Sequence, residues 1–213
     1  MKTDDLITML ATGAGAVDAG APQRRFAVAL GWGGIGALVL MAGLLGVRPD
    51  LPRMALEPMF WTKLAYCGAL AAAALAVTAR LGRPGARSGG VAAMLAIPLL
   101  AMWLLAAAAL SGTAAPERDA LVFGSTWRAC AFNISLLSLP LFAALLWAMK
   151  GLAPTRPALA GAAAGILSGA TAALIYSLHC PELGAPFLAI WYPLGMLIPA
   201  AAGAILGRQL LRW

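Results

Sequence analysis

Polar residues in this chain are few and bunched. Between them lie six stretches of almost unbroken apolar sequence, at 26–47, 59–79, 91–110, 130–148, 158–178 and 190–207. Each approaches the roughly 20 residues that an α-helix needs to cross a bilayer. The runs are too continuous for the alternating strands of a barrel, and helices otherwise satisfy the backbone within lipid. The breaks carry proline, glycine and charge, as in Arg48-Pro49-Asp50, Arg83-Pro84-Gly85 and Pro154-Thr155-Arg156-Pro157. The pattern predicts an all-α integral membrane bundle of six transmembrane helices over 26–213, preceded by an arm over 1–25.

The arm has a pattern of its own. Thr3 is placed to cap a helix, Asp4 and Asp5 fall in the first turn where the helix dipole favours anions, and Leu6, Ile7 and Leu10 share one face. A short amphipathic helix follows, then the small residues Ala-Thr-Gly-Ala-Gly-Ala of 11–16. Helices that lie on a membrane usually carry Lys and Arg on the polar face, whereas this one carries acids and Lys2 alone. A protein-docking helix and a membrane-lying or disordered arm both fit.

Composition excludes the other classes. Of the 213 residues, 62% are hydrophobic and 11% charged, against about 25% charged in soluble domains. A soluble core of this size would need far more surface charge, so soluble, disordered and coiled-coil chains drop out. The net charge of +7 sits in short loops, which makes it a topology signal and not a nucleic-acid footprint. Lys2, Arg24, Arg25, Arg80, Arg83, Arg87, Lys150, Arg156, Arg208 and Arg212 fall on the side of the termini, ten against three acids. The other side has Arg48, Arg53, Lys63, Arg118 and Arg128 against five acids. The positive-inside rule therefore puts both termini in the cytoplasm.

Candidate chemistry is sparse. No Asp, Glu or Arg lies at the middle of a run, and Lys63, near an end of the second, is expected to snorkel to the interface. A small transporter or metal-efflux component is thus the weaker alternative. No nucleophile–base pair, phosphate-cradling loop or paired carboxylates point to an enzyme, so no catalytic residue is assigned. A thiol oxidoreductase would be expected to carry Cys-x-x-Cys, which is absent. Gly161, Gly165 and Gly169, and again Gly203 and Gly207, recur every four residues, a spacing that permits close helix approach within the chain or at a dimer face.

Cysteine supplies the remaining signal. Cys130 opens the fourth run, and His179-Cys180 closes the fifth, so topology puts both thiols near the outer surface. Cys67 lies inside the second run as a small buried residue. The pair fits a structural disulfide in an oxidising compartment. It also fits a thiol sensor, oxidised reversibly or capturing a soft metal through Cys130, Cys180 and His179. Three ligands are too few for a closed zinc site, and no resident cofactor is expected.

Five segments together resemble a known family. They are Met-Lys-Thr-Asp-Asp-Leu-Ile at 1–7, Ala-Pro-Thr-Arg-Pro-Ala-Leu-Ala-Gly at 153–161, Leu-His-Cys-Pro-Glu at 178–182, Ile-Trp-Tyr-Pro-Leu-Gly-Met at 190–196 and Gly-Arg-Gln-Leu-Leu-Arg-Trp at 207–213. The chain resembles the NrsF family over essentially its whole length. The resemblance implies a six-span anti-sigma factor of a bacterial inner membrane. It would hold an extracytoplasmic-function sigma factor through the cytoplasmic arm, with Thr3, Asp4, Asp5, Leu6, Ile7 and Leu10 as the contact residues. It further implies that heavy-metal or oxidative stress is read through outward-facing cysteines, by position Cys130 and Cys180. Cys67 gains no role from it.

Overall fold

A computed structural model of the chain describes residues 3–12, 20–83 and 90–212. Lys2, Arg87, Trp213 and the stretch 13–19 of the arm, with Asp18, lie outside the described residues.

Six long apolar helices, each able to cross a membrane by length and composition, form the body. They are α2 (Ala21–Leu40, continued by a π-helical turn Met41–Leu45), α4 (Pro58–Leu81), α5 (Val91–Ser111), α7 (Trp127–Lys150), α8 (Pro157–Tyr176) and α9 (Ala185–Leu210). The short helices α1 (Thr3–Thr12), α3 (Leu51–Met54) and α6 (Arg118–Phe123) complete the chain, and no strand occurs among the described residues. Proline in the first turn starts α2, α4, α8 and α9, where its missing N–H leaves no intrahelical bond unmade. Helix α9 therefore begins at Ala185, ahead of the hydropathic run, because Pro186 fixes its first turn and Phe187 and Leu188 are already buried.

Helix α8 lies at the centre, flanked by α9, α4 and α7, with α2 on α7 and with α5 against α4 and α9. The glycine repeat makes this possible. A Cβ on Gly161 or Gly165 would overlap the backbone of Gly203 or Pro199, and one on Gly203 would overlap Gly161. The repeat thus joins α8 to α9 within the chain, and the dimer-face alternative is not what these glycines serve here. On the outside of the bundle the helices expose Trp32, Ile97, Leu104, Phe132 and Ile205, an apolar surface compatible with lipid. The core falls into two clusters. One, holding Phe26, Leu145, Met149 and Leu167, lies toward the end with the termini. The other, holding Tyr66, Ile134, Tyr176, Phe187 and Tyr192, lies toward the opposite end and contains all three cysteines.

Candidate functional site

Three segments meet at the end of the bundle away from the termini. Helix α7 brings Cys130 in its first turn, where the Cys130 N–H donates to the Thr126 carbonyl (3.0 Å). The turn after α8 brings Cys180, whose N–H donates to the Tyr176 carbonyl (2.9 Å). Helix α4 brings Lys63 and, one turn on, Cys67. All three cysteines are free thiols and fully buried. Cys130 and Cys180 are neighbours in the same buried cluster and interact electrostatically. The neighbouring Cys130 thiol holds the Cys180 thiol below its ordinary range. Burial opposes that effect, and the nearby Lys63 ammonium reinforces it. Both thiols sit at the end of the bundle away from the termini, and they are buried there, because the 177–184 segment folds back over the helix ends.

Lys63 corrects the sequence reading more strongly. It does not snorkel. Its side chain has no exposed surface, and its Nζ donates to the carbonyls of Cys180 (2.9 Å) and Glu182 (3.1 Å). The ammonium also stands 5.4 Å from the centre of the Tyr192 ring, a cation–π contact. Lys63 stays inside because these groups satisfy its ammonium there.

The Cys180 segment is pinned on every side. The Arg48 Nη1 donates to the Cys180 carbonyl (3.3 Å), and the Arg48 N–H to the Leu178 carbonyl (3.3 Å). Asp50 braces that guanidinium through two hydrogen bonds (2.6 and 2.7 Å), and these hold its carboxyl below the usual range. His179 Nδ1 meets the carbonyl of Gly46 (2.9 Å), a glycine whose φ of +78° ends the π-helical turn of the first span. The Glu182 carboxylate accepts from the N–H and hydroxyl groups of Ser125 (2.7 Å each) and Thr126 (3.2 and 3.3 Å), supplying acceptors at the start of α7. Gly124 (φ +52°) leaves room for this, since a Cβ there would strike that carboxylate. Trp191 Nε1 donates to the Val122 carbonyl (2.9 Å) and ties α9 to α6. Above lies a cleft of about 570 Å³ lined by Gly46, Arg48, Asp50, Thr126, His179 and Pro181. Among the described residues, no group of three or more His, Cys, Asp or Glu side chains is placed to hold a metal ion. Cys130 and Cys180 share one buried cluster, and the His179 Nδ1 is turned to the Gly46 carbonyl.

The arm is of a different character. Helix α1 opens with Thr3 as a helical residue, and Thr8 Oγ1 donates to the Asp4 carbonyl (2.8 Å). None of its residues is buried. Leu6 is 38% exposed, Ile7 59% and Leu10 65%. An apolar face lies open beside the two acids of the first turn.

Residues 10–213 match a protein family described as negative regulator of sigma F, NrsF. The chain belongs to the NrsF family. It is 56% identical over 213 residues to a probable anti-sigma-F factor NrsF of Azospira oryzae, and 44% identical over 218 residues to the anti-sigma-F factor NrsF of Caulobacter vibrioides. Both alignments cover 100% of each chain. No solved structure matches. The resemblance first seen in five segments thus extends through the whole chain. Four of those segments, 153–161, 178–182, 190–196 and 207–213, fall on the α8–α9 contact or on the thiol site. Sequence reasoning missed Lys63, Arg48 and Tyr192 as members of this NrsF site. Lys63 carried a signal: a cation within an apolar run, four residues from Cys67 and so on the same helix face.

Proposed function

We propose that this chain is an anti-sigma factor of a bacterial inner membrane, with both termini in the cytoplasm, that holds an extracytoplasmic-function sigma factor through α1. The observation that carries the reading is the open apolar face of α1, which nothing in the described bundle buries, in a chain whose family is named for negative regulation of a sigma factor. Leu6, Ile7 and Leu10 would enter a groove of the partner, with Thr3, Asp4 and Asp5 toward its basic DNA-facing surface. Nucleic acid is then excluded by occupation of the partner, without being bound by this chain.

The signal enters at Cys130 and Cys180. A peroxide-class oxidant converts one thiol to a sulfenic acid with release of water. The second thiol displaces a second water, leaving a disulfide and a fully reduced peroxide. A soft metal ion bridging the two sulfurs, with loss of both thiol protons, would draw the same segments together without a resident cofactor. Oxidation is the better supported of the two, because no third His, Cys, Asp or Glu side chain is placed with the two thiols to hold a metal ion among the described residues.

Co-purification tests the binding. The full chain, solubilised from unstressed membranes, is expected to bring down a sigma factor, and to lose it when residues 1–12 are removed. A chain that brings down none, or keeps it without the arm, would overturn the assignment. A transporter would show the first of these results.

A further inference from the structure

Lys63 is a buried cation whose hydrogen-bond and cation–π partners among the described residues are two main-chain carbonyls and one aromatic face, with the Cys180 thiol nearby. The nearest acid in the contacted segment, Glu182, turns its carboxylate away to Ser125 and Thr126. Removing an ammonium from water is costly, and an apolar side chain would fill the same space without that cost. What Lys63 does in exchange is specific. It binds the main chain on both sides of Pro181, in a segment whose side chains Cys180 and Glu182 both reach the first turn of α7. Lys63 therefore ties α4 to the link between the two thiols.

We propose that Lys63 is the positioning residue of the thiol site, holding the Cys180 segment so that Cys130 and Cys180 are adjacent but unbonded. Loss of its two carbonyl bonds is the movement by which thiol chemistry reaches α4. This rests on the thiol reading given above. The geometry gives the reason. Closing two unbonded sulfurs to a bond of about 2.05 Å draws the segment toward α7 by on the order of 1 Å or more. Bonds of 2.9 and 3.1 Å, stretched by that amount, are no longer hydrogen bonds. The reduced site and the bonded ammonium therefore stabilise each other, and oxidation frees Lys63.

Two measurements test this on the full chain in membrane vesicles. In the first, the Cys130–Cys180 couple is equilibrated with glutathione buffers and read by differential alkylation and mass spectrometry. Lys63→Met is expected to shift the equilibrium toward the disulfide at least tenfold, about 30 mV more negative for a two-electron couple. Arg48→Gln, which loses a 3.3 Å bond to the same carbonyl, is expected to shift it less than threefold. If the Met variant fails to reach the membrane, Lys63→Gln is read by the same criterion. In the second, the parent chain is treated with an amine-acylating reagent. Lys63 should be inert when the thiols are reduced and react at least tenfold faster once they are oxidised. An unchanged equilibrium constant in the variants, or equal Lys63 reactivity in both states, overturns the role of Lys63 alone. A parent chain that forms no Cys130–Cys180 disulfide overturns the thiol reading and this proposal together.

Discussion

Replacing Leu6 and Leu10 together by Asp is expected to free the sigma factor while leaving the membrane bundle intact. Both side chains are already exposed, so the substitutions remove nothing from the core. Asp at position 6 still lies in the early part of α1, where the helix dipole tolerates it. The loss falls on the partner contact. Burying one leucine contributes about 1.5–3 kcal/mol, and losing two weakens binding by hundreds- to thousands-fold. Placing carboxylates against an apolar groove adds a desolvation cost in the same direction. The dissociation constant of the solubilised chain for its sigma factor reads the effect directly. A double variant that binds within tenfold of the parent would show that α1 is not seated in a groove.

Gly165→Val is expected to abolish the folded bundle. Its Cβ would overlap the carbonyl group of Pro199 on α9. The obstacle is backbone, so no rotamer change relieves it, and α8 and α9 must separate along their closest contact. Overpacking within cores costs about 1–3 kcal/mol where side chains can yield, and more is expected where they cannot. Gly68→Ala on α4 is the matched control. Nothing lies within 4 Å of its added Cβ, and alanine favours the helix by up to about 1 kcal/mol. Thermal unfolding in detergent should show loss of the cooperative transition for the first variant, and no loss of stability for the second.

These cases show which features the sequence carries openly. The spans are legible because lipid demands both an apolar exterior and a self-satisfied backbone, so hydropathy and length suffice. The glycine spacing announced close helix contact but not its partner, since the same period serves a neighbouring helix or a second copy. The interior of the thiol site was less legible. Cys130 and Cys180 were assigned to one end by topology, but their burial depends on the 177–184 segment folding back. Irregular segments have no period to read. Lys63 was misplaced because snorkelling is the default for a lysine near a span end. That default yields when carbonyls of an irregular segment come within reach, here those on either side of Pro181.

Whether the state of Cys130 and Cys180 governs what the arm holds is tested most directly by one measurement. The fraction of sigma factor retained on membranes is followed before and after an oxidant, in the parent and in Cys130→Ser, Cys180→Ser and Cys67→Ser. The parent and Cys67→Ser are expected to release the sigma factor on oxidation. Each of the other two should remain fixed in one state whatever the treatment, because neither can form the bond. Release by both Cys130→Ser and Cys180→Ser to the same extent as the parent would contradict the account and place the entry of the signal elsewhere.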